Sequence, residues 1–237
     1  MGWEFFQKIY CISVRERADR RAEAKRQFAA VGLSERVEFF IVEKDPTPEA
    51  INRGIYESHI RCIQKGIGAG ADRILIFEDD ILFDRFSPEK LEKGIAFLKS
   101  TPDWKVFLLG CLVNGMRVTE SDTVMKVKYR SLSHAYALNR SFAEELLGIP
   151  YQGLAYDCLF CPYDEGIYAI YPTIAFQSDS PSGNAKYFNL ERRRRLFGGF
   201  QRIQKFNEYF YRHRMLIIAA NAATVALLSV IAAYWLL

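Results

Sequence analysis

Ile74-Leu75-Ile76-Phe77-Glu78-Asp79-Asp80 is the stretch on which the reading of the whole chain turns. Four consecutive apolar residues bounded by turn chemistry suit a strand buried on both faces of a parallel sheet. Three carboxylates at its end stand where open α/β sheets place their ligands, beyond the carboxyl ends of the strands. Crowded carboxylates repel one another, and a cation among them relieves that repulsion. Hard oxygen ligands of this kind suit Mg²⁺ or Mn²⁺, shared with a substrate diphosphate. A plainer reading stays open: solvated acids ahead of the helix that Ser87-Pro88-Glu89 begins.

Outward from that strand, strands and helices alternate. Residues 8–14 read as a first strand, followed by the charged run Arg15-Glu16-Arg17-Ala18-Asp19-Arg20-Arg21 and a helix ended by Gly32. Residues 37–41 read as a second strand, 55–67 as a helix stopped by Gly68-Ala69-Gly70, 88–100 as a helix, and 106–109 as a strand. This alternation predicts a parallel α/β sheet. The second half is more mixed, with strands expected over 124–129, 134–138 and 168–171, a short helix over 141–147, and a loop over 177–184. There is no internal repeat and no long low-complexity tract.

The 237 residues are half hydrophobic and one quarter charged, which excludes a disordered chain. The net charge of +4 is unevenly spread: residues 191–214 carry eight Lys/Arg against two Glu, so the remainder is slightly acidic. That is one basic patch, not a generally basic nucleic-acid binder. Residues 215–237 then hold no charge at all, with Tyr234 and Trp235 near the far end. A helix of that length crosses a hydrocarbon core of about 30 Å. Leu196, Phe200, Ile203, Phe206 and Phe210 recur at helical spacing among basic residues, predicting an amphipathic segment on the membrane surface. The expected organisation is a domain over 1–187, a basic amphipathic segment over 188–214 and a membrane anchor over 215–237. Basic residues before the anchor, and no export signal ahead of the domain, predict a cytoplasmic domain. Cys11, Cys62, Cys111, Cys158 and Cys161 are then expected as free thiols.

Several stretches, in order, resemble glycosyltransferase family 25, the group of lipooligosaccharide and procollagen galactosyltransferases. They are Ile12-Ser13-Val14-Arg15-Glu16-Arg17-Ala18-Asp19-Arg20, the Gly and Ser-His of Gly54-Ile55-Tyr56-Glu57-Ser58-His59, and Gly70-Ala71-Asp72 leading to Phe77-Glu78-Asp79-Asp80. His134-Ala135-Tyr136-Ala137-Leu138, Asp157, and Pro172 with Gln177 and Ser182 complete the match, which spans roughly residues 8–184. The resemblance implies a GT-A type, Rossmann-like fold holding a nucleotide-sugar, with UDP-sugars favoured, and a divalent ion. It implies transfer of a sugar, galactose favoured, to a lipid-linked or lipopolysaccharide acceptor.

A departing nucleoside diphosphate gathers negative charge, which a metal held by Asp80 with Glu78 or Asp79 would stabilise. Glu78 or Asp79 is also a candidate contact to the donor. Arg15, Arg17 and Arg20 are candidates for the diphosphate or the base, or else simply a solvated helix start. His59 and His134 each stand between a pocket role and a hydrogen-bonded core role. Inverting transfer needs a carboxylate to take the acceptor's proton. Asp157 is the candidate by its place in the family-like motif, or else an ordinary helix N-cap before Cys158-Leu159-Phe160, with Asp164 and Glu165 in reserve. Two other classes remain open: a membrane-anchored binding protein that has lost the chemistry, and a nucleotidyltransferase. The latter would normally show a Gly-rich loop with a Lys near the first strand, where this chain is Arg-rich.

Overall fold

The computed structural model describes residues 2–44, 47, 50–180, 196 and 198–236. The chain folds around one eight-stranded sheet of order β2-β1-β3-β8-β5-β9-β7-β6. Its strands are β1 (Lys8–Val14), β2 (Val37–Val42), β3 (Arg73–Glu78), β5 (Val106–Leu108), β6 (Leu112–Val118), β7 (Val124–Ser131), β8 (Ala135–Asn139) and β9 (Ile167–Ile170). A separate ribbon pairs β4 (Ile81–Phe83) with β10 (Ala175–Gln177). The helices are α1 (Ala18–Ala30), α2 (Ile51–Gly68), α3 (Pro88–Ser100), α4 (Arg140–Leu147) and α5 (Gly199–Leu236).

The α/β class stands, with one correction: the sheet is mixed. β2, β1 and β3 run parallel, but β8 enters antiparallel between β3 and β5, and β7 runs antiparallel to β9 and β6. The all-buried run Ala135-Tyr136-Ala137-Leu138 takes the slot between β3 and β5. β6 was missed because Gly115 and two register shifts break its alternation. α2 begins four residues earlier than expected, since Gly54 weakens the helical pattern without ending the helix.

Period-two burial divides the core. Tyr10, Ile12, Ile74, Ile76, Leu108, Tyr136 and Leu138 face one side, against Cys62 and Ile63 of α2 and Phe142 and Leu146 of α4. Ile9, Cys11, Leu75, Phe77, Phe107, Ala135 and Ala137 face the other, against Phe28 of α1 and Leu91, Ile95 and Leu98 of α3. Phe28 and Phe77 meet at 5.2 Å between ring centres, fully buried, and truncating either to Ala costs about 3–5 kcal/mol. α3 starts as its sequence dictates, with Ser87 Oγ accepting from the Lys90 N–H and Pro88 in the first turn.

α5 corrects the expected organisation beyond residue 187. Residues 188–195 lie outside the described residues, as does Ser182 of the expected 177–184 loop, but from Gly199 the chain forms a single 38-residue helix, about 57 Å long. Its first four turns dock on the domain rather than standing as a separate surface segment. The inward side is polar: Gln204 and Glu208 are buried, whereas Phe206 and Tyr209 are exposed. The Asn207 amide both accepts from the Val113 N–H and donates to the Val113 carbonyl on the edge strand β6. Glu208 accepts from the Thr173 N–H and pairs with Arg85, a residue held in the left-handed region at φ 61°. Gln201 and Lys205 both donate to Asp84. Hydrogen bonding to backbone dominates the docked face, with Tyr211 packing against the core beside it. Beyond Met215 the helix is exposed almost throughout, and it is long and apolar enough to cross a membrane. Asn221, Thr224 and Ser229 each donate to the carbonyl four residues earlier, so their polar groups are satisfied within the helix.

Candidate functional site

β3 delivers Glu78 at the carboxyl edge of the sheet, and the turn into β4 places Asp79 and Asp80 beside it. Their environments diverge at once. Asp79 is buried and accepts from Ser13 Oγ of β1 at 2.6 Å; burial pushes its carboxyl upward, and the Ser13 bond opposes that. Arg20, in the first turn of α1, reaches over from the adjacent β1–α1 connection. It donates to Asp79 Oδ1 at 3.4 Å, Asp80 Oδ2 at 3.2 Å and the Ser180 carbonyl, with its side chain only 14% exposed. The expected cation among the acids is therefore in part the protein's own guanidinium.

Asp80 retains something a satisfied ion pair would not. Its side chain is 5% exposed, Oδ2 is shared by Arg20 and Gln177 Nε2, and Oδ1 is buried with no hydrogen-bond partner among the described residues. Gln177 Oε1, on the same amide that donates to Asp80, is likewise buried and unpartnered. Orphaned buried acceptors cost about 1–3 kcal/mol each, so one on each of two hydrogen-bonded neighbours marks oxygen chemistry that suits a hard cation. Among the described residues no three His, Cys, Asp or Glu side chains converge into a closed metal cage. Mg²⁺-type sites at strand ends use one or two carboxylates and complete their shell with substrate phosphate and water. The residues present fit that kind of site.

Glu78 keeps its side chain 31% exposed at the carboxyl edge, and its backbone N–H donates to the His134 carbonyl. Desolvation, with Asp80 and Asp157 close by, pushes its carboxyl up to about 8. His59 of α2 is buried, stacked on Tyr156 at 3.9 Å, and hydrogen-bonded through Nδ1 to the Tyr136 hydroxyl, which in turn meets Tyr156 at 2.7 Å. Burial holds its imidazole down at about 3, so it is neutral, with Nε2 3.6 Å from Glu78 Oε1. His59 is thus a core histidine whose one outward atom touches the site. His134 is buried and contacts the Ala175 carbonyl through Nε2.

Asp157 sits on a short 3-10 turn (Tyr156–Phe160) and feels Glu78 electrostatically. Its carboxylate accepts from the Leu132 N–H at 2.9 Å, the Ser133 N–H at 3.1 Å and Ser133 Oγ at 2.5 Å. Leu132 is left-handed at φ 73°, so Asp157 clamps a strained turn directly ahead of β8. About one of its four lone-pair directions is left for other work.

Of the remaining candidates, Arg17 lies within electrostatic reach of Asp79 and Asp80, whereas Arg15, Asp164 and Glu165 do not contact those acids. Arg15 is exposed and pairs with Glu43; Arg17 pairs with Asp19 at 2.8 Å. Asp164 and Glu165 precede β9, which runs parallel to β5, and so lie at the amino edge of the sheet. There they pair with Lys128 and Lys126 in solvent. Ser13 escaped the sequence reading, since a lone Ser ending a strand carries no signal. Gln177 was noted only as part of a closing motif. All five cysteines are free, and Cys158 and Cys161 join no group of three possible metal ligands among the described residues.

No family model and no curated protein matches the chain. Distant structural likenesses exist at 10–12% identity. They include A197 from STIV (TM-score 0.45, covering 72% of this chain and 85% of that one) and the mannose-1-phosphate geranyltransferase from Thermus thermophilus (0.40, 69% and 72%). UDP-glucose pyrophosphorylase in complex with UDP-glucose is similar at a TM-score of 0.39, covering 69% and 72%, with 10% identity.

Proposed function

We propose that the chain is a nucleotide-sugar-dependent glycosyltransferase of the kind its resemblance to family 25 implies. The observation that carries this reading is Asp80, whose buried Oδ1 is unpartnered at the carboxyl edge of a Rossmann-like sheet, beside Arg20. A divalent ion bound there, Mn²⁺ or Mg²⁺, would neutralise charge on the departing diphosphate. Arg20 adds a second positive group at the same place. Asp157, close enough to Glu78 to raise its carboxyl, takes the proton from the acceptor hydroxyl in an inverting transfer. α5 anchors the domain to a membrane with the site on the cytoplasmic side, so soluble UDP-sugar reaches a lipid-linked or lipopolysaccharide acceptor.

The deciding experiment offers the full chain in detergent a set of nucleotide-sugars with and without Mn²⁺. Release of nucleoside diphosphate that stops in excess EDTA is the expected result. Pyrophosphate release from a nucleoside triphosphate and a sugar phosphate would instead make the protein a nucleotidyltransferase. No turnover with any donor, together with no donor binding, would leave a binding or scaffold protein.

A further inference from the structure

The docked part of α5 reaches the acid site through a short chain of hydrogen bonds. Gln204 is buried; its Oε1 accepts from the Gln177 N–H at 3.0 Å, and its Nε2 donates to the Ala175 carbonyl at 3.4 Å. These contacts hold β10 from its open side, while the ladder to β4 holds it from the other, with Gln177 opposite Ile81. The Ser178 N–H adds a bond to the Asp80 carbonyl at 2.8 Å. Gln177 then has one orientation available. Its Nε2 donates to Asp80 Oδ2 at 3.0 Å, and the flipped amide would set two oxygens against each other. Oε1 is left buried without a partner, as is Asp80 Oδ1.

We propose that α5 is a wall of the cation site as well as an anchor: Gln204 fixes Gln177, and Gln177 Oε1 joins Asp80 Oδ1 as a ligand to a divalent cation. The proposal rests on the reading of Asp80 as a cation ligand and adds a residue on β10 and a positioning residue on the membrane helix. A neutral amide oxygen beside a carboxylate oxygen is a hard pair suited to Mg²⁺ or Mn²⁺. The carboxylate's second oxygen stays with Arg20, which keeps its geometry fixed when the cation leaves. Groups that orient metal ligands typically control affinity by about 10–100-fold. The organisation that follows is specific: the site is complete only with the first four turns of α5 in place, whereas residues 215–236 contribute nothing to it.

The test is Mn²⁺ binding to the full chain in lipid nanodiscs, read from the free-ion electron paramagnetic resonance signal with no substrate present. Gln177→Met should weaken binding by more than 10-fold and Gln204→Met by about 10-fold, each with a melting temperature near the parent's. Asn207→Leu removes two hydrogen bonds from the same helix at β6 without touching β10, and should leave affinity unchanged. Parental affinity in both glutamine variants would overturn the proposal, and so would an equal loss in Asn207→Leu, which would mean general undocking. Failure of the underlying reading looks different: the parent would bind no Mn²⁺, or would bind it equally well as Asp80→Asn.

Discussion

Asp79 and Asp80 at one edge of the sheet, and Asp164 and Glu165 at the other, are pairs of adjacent carboxylates with opposite fates. The first pair is buried, shared with Arg20, and leaves one oxygen unsatisfied. The second stands in solvent, each acid opposite a lysine of β7. Exposed pairs of that sort contribute about 0–1 kcal/mol and are screened by salt. Strand direction makes the difference. β3 ends at its acids, whereas Asp164 and Glu165 come before β9 begins, so a parallel relation between the strands sends them to opposite edges. Carboxylates acquire chemistry from where the backbone delivers them and from what else converges there.

The sharpest way to break the comparison is Asp80→Asn. It keeps the shape and the Gln177 contact but lowers the charge available to a cation, so turnover should fall about 10³-fold, near 4 kcal/mol. Steady-state transfer assays with a melting curve alongside decide it; a variant with parental turnover removes Asp80 from the mechanism. Next comes Arg20→Met, which leaves two buried acids facing each other without their guanidinium. Breaking a buried ion pair costs about 3 kcal/mol, measured by urea denaturation in EDTA. Added Mn²⁺ should restore part of that loss, and no restoration would separate Arg20's partner acids from any cation site.

Asp157→Asn should lower transfer by about 10²-fold while donor binding changes little. The Asn side chain keeps one acceptor for the Leu132–Ser133 turn, so the melt should shift modestly. Equal losses in transfer and donor affinity would reduce Asp157 to a clamp on the β7–β8 connection.

Glu78 gives a smaller effect with a definite sign. Its carboxyl is raised to about 8, so between its unfolded value and 8 the native state binds the extra proton, and stability falls as pH rises. His59, lowered to about 3, works the other way, but only up to its ordinary value of 6.5. From pH 6.5 to 8 His59 no longer opposes the Glu78 contribution. Thermal melts of the metal-free protein should therefore decline across that window, and Glu78→Gln should flatten the decline. A parental slope in the variant would place the proton elsewhere.

Much of this was legible in the chain. The run Ile74-Leu75-Ile76-Phe77 suits a strand buried on both faces, which β3 is, and the acids after it follow it to the carboxyl edge. Topology was less legible, because β8's antiparallel entry depends on which buried run wins the central slot, a tertiary competition that local pattern does not record. Arg20's role was visible as a basic residue near the first strand, but its choice of the acids over Asp19's neighbourhood depends on the rotation of α1. The inverted face of α5 was hidden for a different reason. Gln204, Asn207 and Glu208 read as the solvent side of an amphipathic helix, yet the domain offers them unpaired backbone at β6, at β10 and in the segment before it, and buried polar groups go where partners are.

The smallest expected effect is the one that tests the contrast from its quiet side. Asp164→Asn and Glu165→Gln remove carboxylates only seven and eight residues from Asp157 in sequence, and both were reserve candidates for the base. Their side chains are 70% and 80% exposed at the amino edge, and their lysine partners lose nothing they cannot regain from water. Each variant should keep parental transfer rates within about twofold and change stability by less than about 0.5 kcal/mol. A tenfold drop in transfer from either would mean that the amino edge takes part in the chemistry. The rule that strand direction sorts these acids into active and inert would then fail for this protein, and the search for the base would move from Asp157 to the segment ahead of β9.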